Sequence, residues 1–268
     1  MHRLTPTRLA IVAAFCLMCA AVRSSAAERA VGDQYVYIFK GTSQAPTANM
    51  PAMVRAQYEA NQAMMNGMFV TLTLHVDAVD PDGSAHATGT AVTTMAPSTN
   101  SMVAKSMANM GQDLEAKILP DGGIVPKYDP PTAPTVGESQ AQQQAEAAHT
   151  KANYAGGLIA HRIDNFNEFA LGCSKRSAFK TGDSWRLVDA TSSTTWTFAV
   201  TGTDHIAGHD VFVITMNSHF ASENMTSKRN FTGNYDAVNH LVVAFKGETH
   251  QTNTQAGESS FTEDIALQ

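Results

Sequence analysis

Met68-Phe69-Val70-Thr71-Leu72-Thr73-Leu74-His75-Val76-Asp77 decides the fold. Met68, Val70, Leu72, Leu74 and Val76 share one parity; Phe69, Thr71, Thr73, His75 and Asp77 share the other. An apolar period of two is a strand with one face toward a core. Asp80-Pro81-Asp82-Gly83 follows as a turn, because Pro presets φ and Gly accepts positive φ. Ser84 to Met95 then reads as the antiparallel partner.

The pattern recurs outward in both directions. Upstream, Tyr35, Tyr37 and Phe39 alternate within a strand from Tyr35 to Lys40. Downstream, Asp113–Leu119 and Ile124–Lys127 flank Pro120-Asp121-Gly122-Gly123 as a second hairpin. From Ser177 onward the chain reads as strand and turn. Trp196, Phe198 and Val200 alternate, and Val211 to Ile214 reads as a strand buried on both faces. Met225–Tyr235, Leu241–Glu248 and Ser259–Leu267 complete a meander.

Two helices are predicted. Met50, Met53, Val54, Tyr58 and Met65 fall near helical spacing, which places a short helix at Ala52–Asn66. A long helix is expected from Ser139, capped by Gln142 three residues on, to about residue 165. Its stripe is Ala141, Ala145, Ala148, Ala152, Ala155, Ile159 and Phe166, with a kink at Gly156-Gly157. The expected fold class is therefore α+β: a curved antiparallel sheet, an incomplete β-barrel, with one long helix packed against its concave face.

The first 27 residues read as an export signal. Arg3 and Arg8 form a positive n-region, Leu9 to Val22 is a short apolar core, and Ser25-Ala26-Ala27 is a small-residue cleavage site. The expectation is a cleaved leader at 1–27 and one exported domain at 28–268, periplasmic or secreted. The apolar core is too short for a stable span, and no later stretch approaches the roughly 20 apolar residues of a transmembrane anchor. Phe15 before Cys16 and Met18 before Cys19 argue against a lipid-modified cysteine. Cys173 is the one thiol outside the leader, so the domain is expected to be held by its core rather than by an internal disulfide.

Three of the 18 Lys and Arg leave with the leader, against 24 Asp and Glu. That acidity argues against nucleic-acid partners and against electrostatic docking on anionic lipid.

Methionine is the compositional oddity: nine of the 13 lie between residues 50 and 110. Met is flexible and polarizable and suits surfaces that accept irregular apolar ligands. The i, i+3 pairs Met50/Met53, Met65/Met68 and Met107/Met110 also suit plain packing of a helix face, and thioethers suit Cu(I). His205 and His209, flanked by Asp204 and Asp210, form the closest imidazole pair. They are a candidate metal pair or a solvated polar turn; spacing specifies no third ligand. Hydrolase, metalloprotease, P-loop and dinucleotide signatures are absent, so no catalytic residue and no cofactor is assigned.

Phe179 to Trp185, with its Gly-Asp-Ser-Trp turn, and Asn234 to Glu248, with Tyr-Asp-x-x-Asn-x-Leu, carry a resemblance. The chain resembles exported bacterial proteins of uncharacterised function with an incomplete, lipoprotein-carrier-like β-barrel. That resemblance implies a curved sheet wrapping a helix, with a hollow for acyl chains.

The leading expectation is thus an exported, non-catalytic binding protein for a lipid or other hydrophobic ligand. Met68, Val70, Leu72 and Leu74 would form the wall, and Met50, Met53, Met64 and Met65 an adaptable lid. The alternatives are a structural or protein-interaction module of the envelope with a filled core, and metal binding by the Met clusters or by His205 and His209.

Overall fold

The computed structural model describes residues 29–44, 51–95, 110–127, 159, 163–188, 194–254 and 257–268. The order is β1 (Gln34–Gln44), α1 (Ala52–Asn66), β2 (Met68–Val79), β3 (Ala85–Met95), β4 (Met110–Ile118), β5 (Ile124–Pro126) and α2 (Asp164–Ser174). Then come β6 (Ser184–Val188), β7 (Thr195–Ile206), β8 (His209–Ala221), β9 (Met225–Asp236), β10 (Leu241–Asn253) and β11 (Gly257–Leu267).

All eleven strands form one antiparallel sheet in the order β5-β4-β3-β2-β1-β11-β10-β9-β8-β7-β6. It is a meander in which the first strand pairs with the last (Phe39 opposite Ile265), so its two ends are the edges β5 and β6. Register shifts at Val76/Ala78, Val200/Gly202 and Val242/Ala244 bend the sheet, since a bulge raises local twist.

This corrects the expected α+β class. The described chain is mostly strand, the sheet is not closed, and its two described helices are short. The alanine stripe from Ala141 to Ala155 falls outside the described residues, as do the leader at 1–27 and Met50. Among the described residues, the helix on the concave face of the sheet is α2, and its Phe166 and Phe169 rings fill the space between helix and strands.

Phe166, Phe169, Ala170 and Cys173 form the buried stripe of α2. Phe166 meets Tyr37 and Phe245 edge-on, at centroid distances of 5.8 and 6.1 Å. Phe169 lies 5.4 Å from Phe245, which stacks on Phe231 at 4.9 Å. Close approach to the sheet uses two missing side chains. A Cβ on Gly172 would clash with the Cζ end of the Phe198 ring, and one on Gly233 with the Cζ end of the Phe169 ring.

α2 also spans the gap between the sheet's edges. The Asn167 amide donates to Ile124 O and accepts from Ile124 N, both at 2.8 Å, standing in for a neighbouring strand. On the other side, Trp185 of β6 donates Nε1–H to Gly172 O at 2.9 Å. Asn167→Leu should cost about 2 kcal/mol, because Ile124 is fully buried and both its backbone groups lose their partner. Chemical denaturation measures the loss, and hydrogen exchange should show it at the Ile124 amide.

Candidate binding cavity

Cross-strand partners point to the same face of a sheet, so the register defines rows across the hollow. The central row is Val200, Ile214, Gly233, Phe245, Ile265, Phe39 and Val70. One step toward the rim lies Phe198, Met216, Phe231, Gly247, Glu263 and Gly41. The next step is Trp196, Ser218, Arg229, Thr249, Phe261 and Ser43. Along its axis the hollow changes from wholly apolar to mixed polar and aromatic.

A cavity of about 450 Å³ opens where that change occurs. Arg229, Thr249 and Gln251 line one side, and Phe261 and Glu263 the other. Asp164 and Asn165, at the start of α2, form its inner wall. Asp164 sits in the first helical turn, where the helix dipole favours a carboxylate. Asn165 donates Nδ2–H to Glu263 Oε1 at 2.9 Å. The Arg229 guanidinium lies over the Trp196 ring, 5.4 Å from its centroid.

The rim exists because β1 and β2 part. Their pairing ends at Lys40 opposite Phe69, and α1 occupies the interval and packs on β1. Asn66, the last residue of α1, hooks the free backbone of β1: it accepts from Ser43 N at 2.8 Å and donates to Ser43 O at 3.0 Å. The same Asn66 lines the cavity, so α1 borders its mouth.

The wall residues expected from the sequence lie on the concave face of β2. Met68, Val70, Leu72 and Leu74 are all nearly or fully buried in the core, and none lines the cavity. Met53, Met64 and Met65 belong to α1, the helix whose last residue, Asn66, lines the cavity. Arg229, Glu263, Asn165 and Thr249 were not singled out by the sequence reading. The available signal was Ser227 and Arg229 on the same parity as Phe231 and Tyr235, polar residues on a core-facing stripe.

His205 and His209 do not come together as a pair. His205 is opposite Asp210 and Ile206 opposite His209, so the two imidazoles leave opposite faces of the β7–β8 hairpin. His205 Nδ1 contacts Asp210 Oδ1 at 2.8 Å, and His209 Nδ1 contacts Asp236 Oδ2 at 2.8 Å. Among the described residues no group of three metal-ligating side chains occurs. Cys173 is buried in the core, where desolvation, with Asp121 adding to it, pushes its thiol pKa well up.

Asp236 carries a pH dependence. Burial pushes its carboxyl pKa up, but the Asn239 N–H, the Asn239 amide, His209 and the Val238 N–H together hold it below the usual carboxylate value. A depressed folded-state pKa contributes stability above the unfolded value, about 3.9, and loses it as pH falls through the folded pKa. Stability is therefore expected to fall below about pH 4, and Asp236→Asn should flatten that acid limb. Urea midpoints from pH 2 to 7 measure it.

A second, shallower depression of about 560 Å³ crosses the outer face of β6–β9, lined by Arg186, Thr195, Thr197, Asn217, His219 and Lys228 among others. No described helix is long and apolar enough to cross a membrane.

No family model and no curated protein matches the chain. Solved structures do. One, from Bacteroides fragilis, is described as an exported protein with a YmcC-like fold. It is 11% identical with a TM-score of 0.29, covering 90% of this chain and 97% of its own. Another, from Parabacteroides distasonis, is described as a lipoprotein. It is 13% identical with a TM-score of 0.26, covering 89% of this chain and 96% of its own.

Proposed function

We propose that this chain is an exported, non-catalytic binding protein whose rim cavity takes an amphipathic ligand of the lipid class. The single observation that carries the reading is the cavity's position. It begins where aromatic rows give way to Arg229, Thr249, Gln251 and Glu263, and the Met-rich α1 borders its mouth. A ligand with one polar and one apolar end matches such a gradient, and small-ligand sites combine apolar walls with a few placed polar groups. The sequence of α1 is rich in Met, a residue type suited to irregular apolar ligands.

Export rests on the leader's three-part pattern at 1–27. The absence of chemistry rests on the site's composition. Neither His nor Cys lines the cavity among the described residues, and the Cys173 thiol is withdrawn into the core.

A structural or interaction module remains the second reading, because Val70, Leu72, Leu74 and the rings around Phe169 already fill most of the hollow. One experiment separates the two. The exported chain, purified without detergent, is weighed by native mass spectrometry, then titrated with single-chain lipids while tryptophan fluorescence is followed. Trp196, one of two tryptophans, lies under Arg229 and reports on the cavity. A retained or added lipid with a Trp196 response supports binding. A bare chain that takes up no lipid overturns it and leaves the module.

A further inference from the structure

We infer that the polar end of the ligand is an oxyanion, a carboxylate or a phosphate ester, held by Arg229; the inference rests on the cavity being a lipid site. Arg229 projects into the concave face from the middle of β9. Its guanidinium carbon lies over the Trp196 indole, 5.4 Å from the ring centroid, which leaves N–H groups for a ligand. Among the described residues no carboxylate lies within ion-pair distance of it. Stacking uses the guanidinium plane and leaves the in-plane N–H fork for a bidentate oxyanion.

The surroundings of Arg229 are hydroxyl-rich. Ser218 and Thr249 are its direct cross-strand neighbours, on β8 and β10, and both are buried. Ser227, two residues away on the same face, is 2% exposed, and its Oγ has no hydrogen-bond partner among the described residues. A buried hydroxyl without a partner is uncommon and calls for an explanation. An oxyanion on Arg229 has spare lone pairs for hydroxyl donors of this kind.

The acids of the cavity lie elsewhere. Glu263 is on β11, two strands from Arg229, which is about 10 Å at the usual strand spacing. Its Oε1 accepts from Asn165. Asp164 belongs to the start of α2. An anion on the β9 side therefore meets Arg229 first, with no described carboxylate within ion-pair distance of that guanidinium.

Three single-chain probes test this: oleate, oleoyl lysophosphatidate and neutral monoolein, titrated against the wild-type chain, Arg229→Gln and Arg229→Lys, each checked for its fold by circular dichroism. The expected result is that an anionic probe binds about tenfold or more tighter than monoolein to the wild type, in line with a charge-assisted pair. Arg229→Gln should abolish that preference and Arg229→Lys should keep part of it, which also covers a Gln variant that fails to fold. The tighter of the two anions names the headgroup. Equal binding of all three probes, or a preference that survives Arg229→Gln, overturns the oxyanion while the lipid site stands. Failure of all three to bind overturns the lipid site and the inference with it.

Discussion

Phe169→Ala is expected to lower the unfolding free energy by about 3–5 kcal/mol, the range for truncating a fully buried phenylalanine. Phe169 is inaccessible to solvent and sits against Phe245 and Phe198, at 5.4 and 6.5 Å. It joins α2 to the sheet, so its loss opens a cavity between two elements that are otherwise held by few bonds. The partner position makes the test sharper. A Cβ on Gly233 would clash with Phe169 Cζ, so Gly233→Ala forces the ring, or the whole helix, outward. Overpacking of this kind costs about 1–3 kcal/mol or more. Combining Gly233→Ala with Phe169→Leu removes the ring that the new methyl would strike. The double variant should be more stable than the sum of its parts by about 0.5–3 kcal/mol. Urea unfolding of the four proteins measures the coupling. Strict additivity would mean that the two positions do not touch.

Arg29→Met should cost about 3 kcal/mol, because it strips a charged donor from two carbonyls at once. Arg29 is 7% exposed and donates to Gly83 O at 2.8 Å and to His240 O at 3.2 Å. Those carbonyls belong to two turns, one after β2 and one after β9. Tyr235 Oη extends the cluster through His240 Nδ1 at 3.0 Å. One guanidinium thus ties together turns more than 150 residues apart in the chain. Arg29→Lys keeps the charge but has no fork, so it should recover part of the loss. The measurements are the unfolding free energy and hydrogen exchange around residues 80–84 and 236–241. Unchanged exchange at both turns would show that Arg29 is not the tie.

Individual hairpins were legible in the sequence because their cause is local. Alternation from Met68 to Val76, the Asp80–Gly83 turn and the return to Met95 appear as β2 paired with β3. The same holds for β4 and β5 about the turn before Gly123. Other boundaries were misjudged for a physical reason. His205 and His209 were read as part of a loop, yet β7 and β8 run through them, and the reversal takes only Ala207 and Gly208, both at positive φ. Polar strand ends carry no apolar alternation to reveal them. The sequence reading put its helical signal on the alanine stripe, which lies outside the described residues, and did not single out α2 as an element. The aromatic stripe of α2 is interrupted by Asn165, Asn167 and Gly172, each of which the tertiary structure uses: one for Glu263, one for Ile124, one to admit Phe198.

The sequence by itself determined the strand grammar, since period-two burial and Pro-Asp-Gly turns act within a few residues. The leader pattern and the acidity are likewise properties of residues in order. Only the tertiary structure decided that the first strand pairs with the last, that α2 bridges the open edges, and that the rim is polar. Each of those depends on which residues become cross-strand neighbours. Arg229 meets Trp196, and shares the hollow with Glu263, because four antiparallel registers align, and register between distant strands is set by the whole sheet rather than by any stretch of chain.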